Sequence, residues 1–353
     1  MSAAAGKRAR TQLGRQLTRG AAHALAVLGV SAVLAAGAAV LLVVLTGGIE
    51  RFLGALHVEN APWVALCLGA EAVAYLGYTL AFREVVRVSG GPLIRLRTAA
   101  AVVGIGFSPV FMAGLGGGFA VDRAAMEEMG LDEDEARVRV LTLNEIEYAV
   151  LAPAACVCAV MLLLGWGSDV PGSLTLPWLL VVPGVILAGI ATREGPRAAL
   201  TRNPTSRLRR GVARFIESLV LVRAITVRPH RHGLGILGTV LYWAGDITVL
   251  WACLHVFGIT LPWPALILAF ATGYALTRRA LPAGGPGAVE LLLPLALHWF
   301  GAPFAPAIVA VFAYRFFTFW LALVPGMVVR SRLHEVQRSL AATEPGPEPE
   351  GSG

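Results

Sequence analysis

Long apolar runs alternate with short polar loops along the whole chain. Most of the runs reach the length of about 20 residues that a helix needs to cross a bilayer. Charged positions are rare inside the runs and concentrate between them. The pattern therefore predicts an all-α fold, a polytopic membrane helix bundle. The predicted runs lie near residues 23–45, 62–82, 98–121, 140–165, 176–192, 234–257, 264–281, 287–300 and 304–329.

Composition agrees with a membrane protein and argues against a soluble domain. Hydrophobic residues make up 56% of the 353-residue chain, charged residues only 14%, and the mean hydropathy is +0.70. A soluble domain has about 25% charged residues. The net charge of +7 comes from arginines between apolar runs, where anionic lipid headgroups are suitable partners. The basic residues form no patterned domain, so no nucleic-acid partner is expected.

The arginine-rich loops predict which side of the membrane each loop faces. Because cytoplasmic loops near helix ends are enriched in Lys and Arg, the loops 83–97 and 193–232 should be cytoplasmic. The basic N-terminus 1–22 and a disordered tail 331–353 should also be cytoplasmic, on either side of a transmembrane domain 23–330. The prediction is a multi-pass protein of the cell inner membrane with both termini in the cytoplasm.

Residues that break helices interrupt the membrane runs at two places. Ser108-Pro109 and Gly116-Gly117 interrupt the run at 98–121, and the Pro- and Gly-rich segment 282–287 separates two later runs. Non-helical backbone at membrane depth occurs only where it is buried in protein or lines a wet cavity. Counting crossings between the cytoplasmic loops leaves each segment as a re-entrant hairpin, and the two hairpins should enter from opposite faces. A plain crossing by 98–121 is the alternative.

The two broken hairpins belong to a predicted inverted internal repeat. Repeat one covers about 62–165 and repeat two about 234–329, with the basic loop 193–232 between them. Broken helices that enter from opposite faces are how many transporters form a site at the midplane. A chance alignment of small residues is the alternative. The alignment pairs Gly116-Gly117 with Gly284-Gly285 and, after a three-residue shift, Gly130, Ala136 and Asn144 with Gly301, Ala307 and Arg315.

Charged residues inside the predicted spans mark a candidate substrate site, because each costs a few kcal/mol to insert. Arg315 lies mid-span, and Glu290 follows the second glycine break. Arginines bind phosphate in a bidentate manner, and helix starts after the glycine breaks point N–H groups at an anion. The alternative is a buried Glu290–Arg315 pair that only fixes packing. The predicted substrate-binding residues are Arg315, Glu290, Arg278, Arg279, Gly284, Gly285, Gly287, Gly116, Gly117, Asn144 and Tyr314.

Other polar residues have structural interpretations. Asp246, Glu71 and His298 are expected to support packing, and Asp132–Glu135 should cap a helix. The stretch Arg202–Arg228 mixes apolar residues with arginines, which fits either an interfacial helix on anionic lipid or a solvated connector. No metal or cofactor is expected, because the cysteines lie in apolar runs without clustered ligands. These cysteines are Cys67, Cys156, Cys158 and Cys253.

Two segments resemble the membrane domain of lysylphosphatidylglycerol synthases and their flippase-like relatives. The segment Leu281–Glu290 is similar to that family's Pro-Gly-Gly-x-Gly-x-x-Glu signature, and Ala313–Trp320 is similar to its Tyr-Arg-x-x-Thr-Phe-Trp span. The resemblance extends over residues 20–330 and includes the break at Ser108-Pro109. Ala283 departs from the family's usual Pro. The chain resembles a stand-alone member, without the aminoacyl-transferase domain of the two-domain synthases.

The resemblance implies translocation of a phospholipid or a polyprenyl-linked lipid without lysine-transfer chemistry. The predicted function is therefore a lipid flippase rather than an enzyme, and its expected partners are anionic or polyprenyl-phosphate headgroups. A homo-oligomer, or association with envelope-biosynthesis enzymes, is also open. Two alternatives remain: a membrane-embedded enzyme acting on lipid phosphates, and an accessory subunit of an envelope lipid or glycan pathway. The sequence has no nucleotide-binding loop of the Gly-x-x-x-x-Gly-Lys-Ser/Thr type.

Overall fold

The computed structural model describes six parts of the chain, and their regular elements are helices, as the all-α prediction requires. The helices are α1 (Ala61–Arg87), α2 (Leu96–Phe107), α3 (Gly118–Glu128), α4 (Glu133–Leu163), α5 (Gly172–Ala191), α6 (Glu194–Thr201), α7 (Arg207–Val227), α8 (Pro229–Val256), α9 (Trp263–Phe270), α10 (Ala288–Trp299) and α11 (Phe304–Arg315). The described residues are 60–108, 118–167, 169–202, 206–275, 288–323 and 338–342.

Four helices in the described part of the chain are long and apolar enough to cross a membrane: Ala61–Gly90, Glu133–Leu163, Gly172–Ala191 and Pro229–Val256. Each overlaps a run predicted from hydropathy. The other predicted runs correspond to the shorter helices α2, α3, α9, α10 and α11, while the first run, 23–45, lies outside the described residues. The N-terminus 1–22 and most of the tail 331–353 lie outside them as well.

The start of α4 explains why hydropathy placed this helix too late. The run was predicted from residue 140, but the helix begins at Glu133. The Asp132 side chain accepts a hydrogen bond from the backbone N–H of Glu135, at 2.8 Å, and so caps the helix as predicted. Three acidic residues then fill the first turn, where the helix dipole favours negative charge. The first two turns are thus too polar to register as a membrane run.

Small residues bring α1 and α8 into direct backbone contact at the centre of the bundle. A Cβ added to Gly77 would lie 2.5 Å from the Gly238 carbonyl oxygen and 2.5 Å from the Tyr242 nitrogen. A Cβ added to Gly245 would lie 2.4 Å from the Ala70 carbonyl oxygen. Helices in lipid associate through such close packing, because lipid removes the hydrophobic drive that joins helices in water. Glycine is therefore required at both positions.

The α1–α8 contact has an internal symmetry. Gly77 faces residues 238 and 242, whereas Gly245 faces residues 70 and 74. Positions 70 and 238, 74 and 242, and 77 and 245 are all separated by the same number of residues, which is also the spacing between Gly116 and Gly284. Exchanging the partners at this spacing converts one contact into the other, which is what the predicted inverted repeat requires; the repeat itself stays a prediction.

The order of elements after each central helix is also alike. A shorter helix follows α1 and α8, then an undescribed segment, a helix of 11 or 12 residues, a glycine with positive φ and a further helix. The two glycines are Gly130, with φ 95°, and Gly301, with φ 105°. The re-entrant path of the hairpins stays a prediction, because 109–117 and 276–287 lie outside the described residues.

A buried arginine holds the end of α1. The guanidinium of Arg139 is 2% exposed, and its Nη1 donates to the carbonyl oxygens of Val85, Val86 and Val88 at 2.8 to 2.9 Å. Its Nη2 also pairs with the Glu135 carboxylate at 2.8 Å. The last carbonyl groups of a helix have no partner within the helix. Arg139 satisfies them from α4 and fixes α1 against α4.

Candidate functional site

Arg315 and Glu290 form an ion pair inside the bundle. The Arg315 Nε lies 2.9 Å from the Glu290 Oε1, and the side chains are only 2% and 8% exposed. The Arg315 guanidinium also lies over the Phe319 ring, 4.3 Å from the ring centroid, within a π-helical turn at Phe316–Trp320. The two charges predicted to share a site are therefore in contact.

Local structure explains the position of Glu290. Glu290 is in the first turn of α10, directly after the glycine-rich segment, where the helix dipole favours a carboxylate. Arg315 lies where α11 passes into the π-helical turn, so the helix continues beyond it and the Glu290 carboxylate is its charge partner.

Tyr314 connects this pair to the central helix α8. The Tyr314 hydroxyl donates a hydrogen bond of 2.8 Å to the Asp246 Oδ1, and both side chains are buried. Asp246 was expected to have only a packing role. Its contact with Tyr314, which directly precedes Arg315 in the sequence, places it in the candidate site.

A second tyrosine–carboxylate pair, missed by sequence reasoning, lies on the other side of the central crossing. The Tyr78 hydroxyl of α1 donates to the Asp122 Oδ2 of α3 at 3.3 Å, and both residues are fully buried. The carboxylate packs beside Gly106 of α2, where a Cβ would lie at an ordinary contact distance of 3.4 Å from the Asp122 Oδ1.

The spacing of the predicted internal repeat could have identified Asp122. Asp122 precedes Glu290 by the same number of positions that separates Gly116 from Gly284. Tyr78 precedes Asp246 by this number too. Asp122 was overlooked because it falls just outside the predicted run 98–121 and before the aligned Gly130. The polar pairs Tyr78–Asp122 and Tyr314–Asp246 therefore use equivalent positions of the two central helices.

Aromatic rings pack around Tyr78 and Tyr242 at the crossing of α1 and α8. The Tyr78 and Tyr242 ring centroids are 5.3 Å apart, and the Phe107 ring lies 4.8 Å from Tyr78 in an edge-to-face arrangement. The Trp243 ring contacts Tyr242 at 4.8 Å, and its indole nitrogen donates to the Glu147 carbonyl oxygen at 2.8 Å. The candidate site is thus a layer of buried charges, hydroxyl groups and rings at the α1–α8 crossing.

The other predicted site residues are placed elsewhere or lie outside the described residues. Asn144 is half-buried on α4. His298, which was expected to be structural, contacts the Ala302 carbonyl oxygen at 3.0 Å. Seven predicted residues lie outside the described residues: Arg278, Arg279, Gly284, Gly285, Gly287, Gly116 and Gly117.

The described residues include no group of three or more His, Cys, Asp or Glu side chains that could hold a metal ion. The four cysteines are all buried free thiols, as their apolar surroundings predicted. The site brings together groups of three kinds. These are the Arg315 guanidinium, the buried carboxyl groups of Asp122, Asp246 and Glu290, and the phenolic hydroxyl groups of Tyr78 and Tyr314. Such a set can bind an anion at Arg315 and can hold or release protons at the carboxyl groups.

Comparison with known proteins gives one family. The profile of the lysylphosphatidylglycerol synthase TM region matches residues 28–326, which is well over half of the chain. No curated protein and no solved structure matches the chain. The matched segment contains both polar pairs, the ion pair and the two central helices.

Proposed function

We propose that this protein, a member of the lysylphosphatidylglycerol synthase transmembrane family, moves an anionic phospholipid or a polyprenyl-linked lipid between the leaflets of the cell inner membrane. The observation that carries this proposal is the buried Arg315–Glu290 pair. A charged headgroup cannot cross an apolar bundle without a group of opposite charge at membrane depth. Arg315 is such a group, and the proposed activity is transport without chemistry.

The ion pair supports transport through an exchange of partners. A buried guanidinium needs an anionic partner in every state, because leaving it unpaired costs several kcal/mol. Glu290 is that partner in the present state. A lipid phosphate that reaches Arg315 can replace the carboxylate with two parallel hydrogen bonds, which a guanidinium forms with phosphate oxygens. Glu290 would then accept a proton or turn toward the glycine-rich segment.

The central crossing supports a path from one leaflet to the other. Each polar pair joins a central helix to a helix that follows one of the breaks. Tyr78–Asp122 joins α1 to α3, and Tyr314–Asp246 joins α8 to α11. Transporters built from inverted repeats alternate access by rocking one half against the other around a fixed site. The glycine-lined crossing at Gly77 and Gly245 is where such a rocking motion would pivot, with the arginine-rich end of the bundle in the cytoplasm.

The test is leaflet exchange by the purified full-length protein in liposomes. Fluorescent anionic phospholipids and a polyprenyl-phosphate analogue would be the probes, and wild type would be compared with Arg315→Ala and Glu290→Gln. The matched control is Arg137→Ala, because Arg137 forms a surface pair with Glu133 one helical turn away. Wild type and Arg137→Ala should exchange lipid, whereas the Arg315 variant should not.

Two results would count against the proposal. If folded wild type exchanges none of the probes, the accessory-subunit and enzymatic alternatives become stronger. If Arg315→Ala folds and exchanges lipid at the wild-type rate, the pair only fixes packing and the site lies elsewhere.

A further inference from the structure

The helix α7 lies across one end of the bundle rather than along it. Arg214 of α7 pairs with Asp134 at the start of α4 at 2.7 Å, and the Arg223 Nη1 lies 3.4 Å from the Thr192 Oγ1 at the end of α5. Near its own end, Ile225 packs beside Gly235 at the start of α8. One helix therefore contacts the same-side ends of three helices that are long and apolar enough to cross a membrane.

The two halves of α7 differ in what they contact. In the second half Ile216, Val222 and Ile225 are buried against the bundle. In the first half Leu208 is 78% exposed, Val212 39% and Phe215 42%. Steps of four and three residues place these three side chains on one face of the helix. The first half thus presents an apolar stripe that the described bundle does not cover.

Exposed arginines lie in the same turn as the start of this stripe. Arg207, Arg209 and Arg210 are exposed, and none forms an ion pair with another described residue. Other arginines of the same region are neutralised: Arg214 pairs with Asp134, and Arg197 forms two hydrogen bonds with Glu217 at 2.6 and 2.9 Å. The part of α7 that carries the exposed apolar stripe therefore also carries unpaired positive charge.

We propose that the first half of α7, residues 207–215, binds the surface of an anionic bilayer. Leu208, Val212 and Phe215 would enter the boundary between headgroups and acyl chains, as in other amphipathic interfacial helices. Arg207 and Arg209, which lie about 100° to either side of Leu208 on the helix, would contact lipid phosphates, which a guanidinium binds in a bidentate manner. Arg210 lies on the opposite face and would add to the electrostatic attraction. The bilayer is the occupant that the position of α7 favours, because the ends of α4, α5 and α8 put headgroups beside the stripe. This inference is independent of the proposed transport.

The test measures the surroundings of α7 in the full-length protein. Leu208→Cys would be labelled with an environment-sensitive fluorophore, since the four native cysteines are buried. The labelled protein would be placed in nanodiscs of phosphatidylcholine with and without phosphatidylglycerol. We expect the emission to shift to shorter wavelength when phosphatidylglycerol is present. Lipids that carry a quencher on the acyl chain should quench this emission. High salt should reverse both the shift and the quenching.

Charge variants separate the electrostatic contribution from packing. Each arginine should change the ratio of bound to unbound helix about fivefold, which corresponds to about 1 kcal/mol. Arg209→Gln should therefore lower the ratio about fivefold, and the triple change of Arg207, Arg209 and Arg210 to Gln on the order of 100-fold. Arg137→Gln, which removes an already paired charge at the same end of the bundle, should have no effect.

Two results would overturn the inference. A label that stays in a water-like environment in both kinds of nanodisc would mean that the stripe does not meet the bilayer, and would favour a protein partner. A label that is buried equally in both, and is unaffected by the triple variant, would mean that anionic lipid has no part in the contact. The variants change exposed residues only, so their melting temperatures should match that of wild type.

Discussion

The Arg315–Glu290 pair allows its role in transport to be separated from its role in stability. Arg315→Met leaves the Glu290 carboxylate without its guanidinium, and Glu290→Leu does the reverse. Both side chains are nearly inaccessible to water and their charged atoms are 2.9 Å apart. Removing one partner of such a buried pair costs about 3–5 kcal/mol, because the remaining charge is left without compensation. Each single variant should therefore be clearly less stable than wild type.

The double variant Arg315→Met with Glu290→Leu has no such charge. Replacing a whole buried pair by apolar residues of similar size is often neutral for stability. The double variant should therefore recover at least about 2 kcal/mol relative to the less stable single variant, which is a coupling that only contacting residues show. The free energy of unfolding would be measured by denaturant titration in mixed micelles, and leaflet exchange would be measured on the same preparations.

The combined result is decisive because the two roles predict opposite behaviour of the double variant. If Arg315 binds the headgroup, the double variant is stable but does not exchange lipid. If the pair only fixes packing, the double variant is stable and exchanges lipid as wild type does. The reasoning about burial is itself refuted if Arg315→Met alone unfolds with the wild-type free energy.

Three further predictions test the fold around the site. Gly77→Leu should lower the melting temperature strongly or prevent folding, because its Cβ would lie 2.5 Å from backbone atoms of α8. The control Gly69→Leu should be tolerated, since a Cβ there meets nothing within 4 Å. Cys67 and Cys253 have sulfurs 3.9 Å apart, so oxidation by copper-phenanthroline should join them in an intramolecular disulfide. Mass spectrometry should detect the loss of two hydrogens, and the Cys67→Ser variant should not show it. Arg139→Met should lower the melting temperature, because the carbonyl oxygens of Val85 and Val86 at the end of α1 lose the guanidinium donor, whereas that of Val88 keeps the Gly91 N–H.

Much of the bundle could be predicted because membrane helices follow from local sequence. The long helices α1, α4 and α8 appear as apolar runs, and the cap at Asp132 follows from an acidic cluster before such a run. The contact between Arg315 and Glu290 could also be predicted, because charges in an apolar bundle have few partners to choose from. In these cases a single effect with a large free energy decides the structure: apolar runs form helices in lipid, and charges inside an apolar bundle pair with each other.

Contacts between distant polar residues could not be predicted in the same way. Tyr78 and Asp122 belong to different helices, and their hydrogen bond depends on how α1, α2 and α3 pack rather than on any local pattern. Arg139 lies just before the predicted run 140–165 and no role was predicted for it, although it is buried and holds the end of α1. Each of these residues has an ordinary local sequence, so only the packing of the helices shows what it contacts.

The distribution of buried charge links the fold to the proposed transport. Asp122 and Asp246 are both almost fully buried, and each receives a tyrosine hydroxyl from a neighbouring helix. An apolar side chain at either position would avoid the cost of inserting a carboxyl group, and small residues alone already hold the α1–α8 crossing together. In the proposed transport, an anionic headgroup that passes the crossing needs hydrogen-bond donors, and the hydroxyl groups of Tyr78 and Tyr314 would be available on the two sides of it.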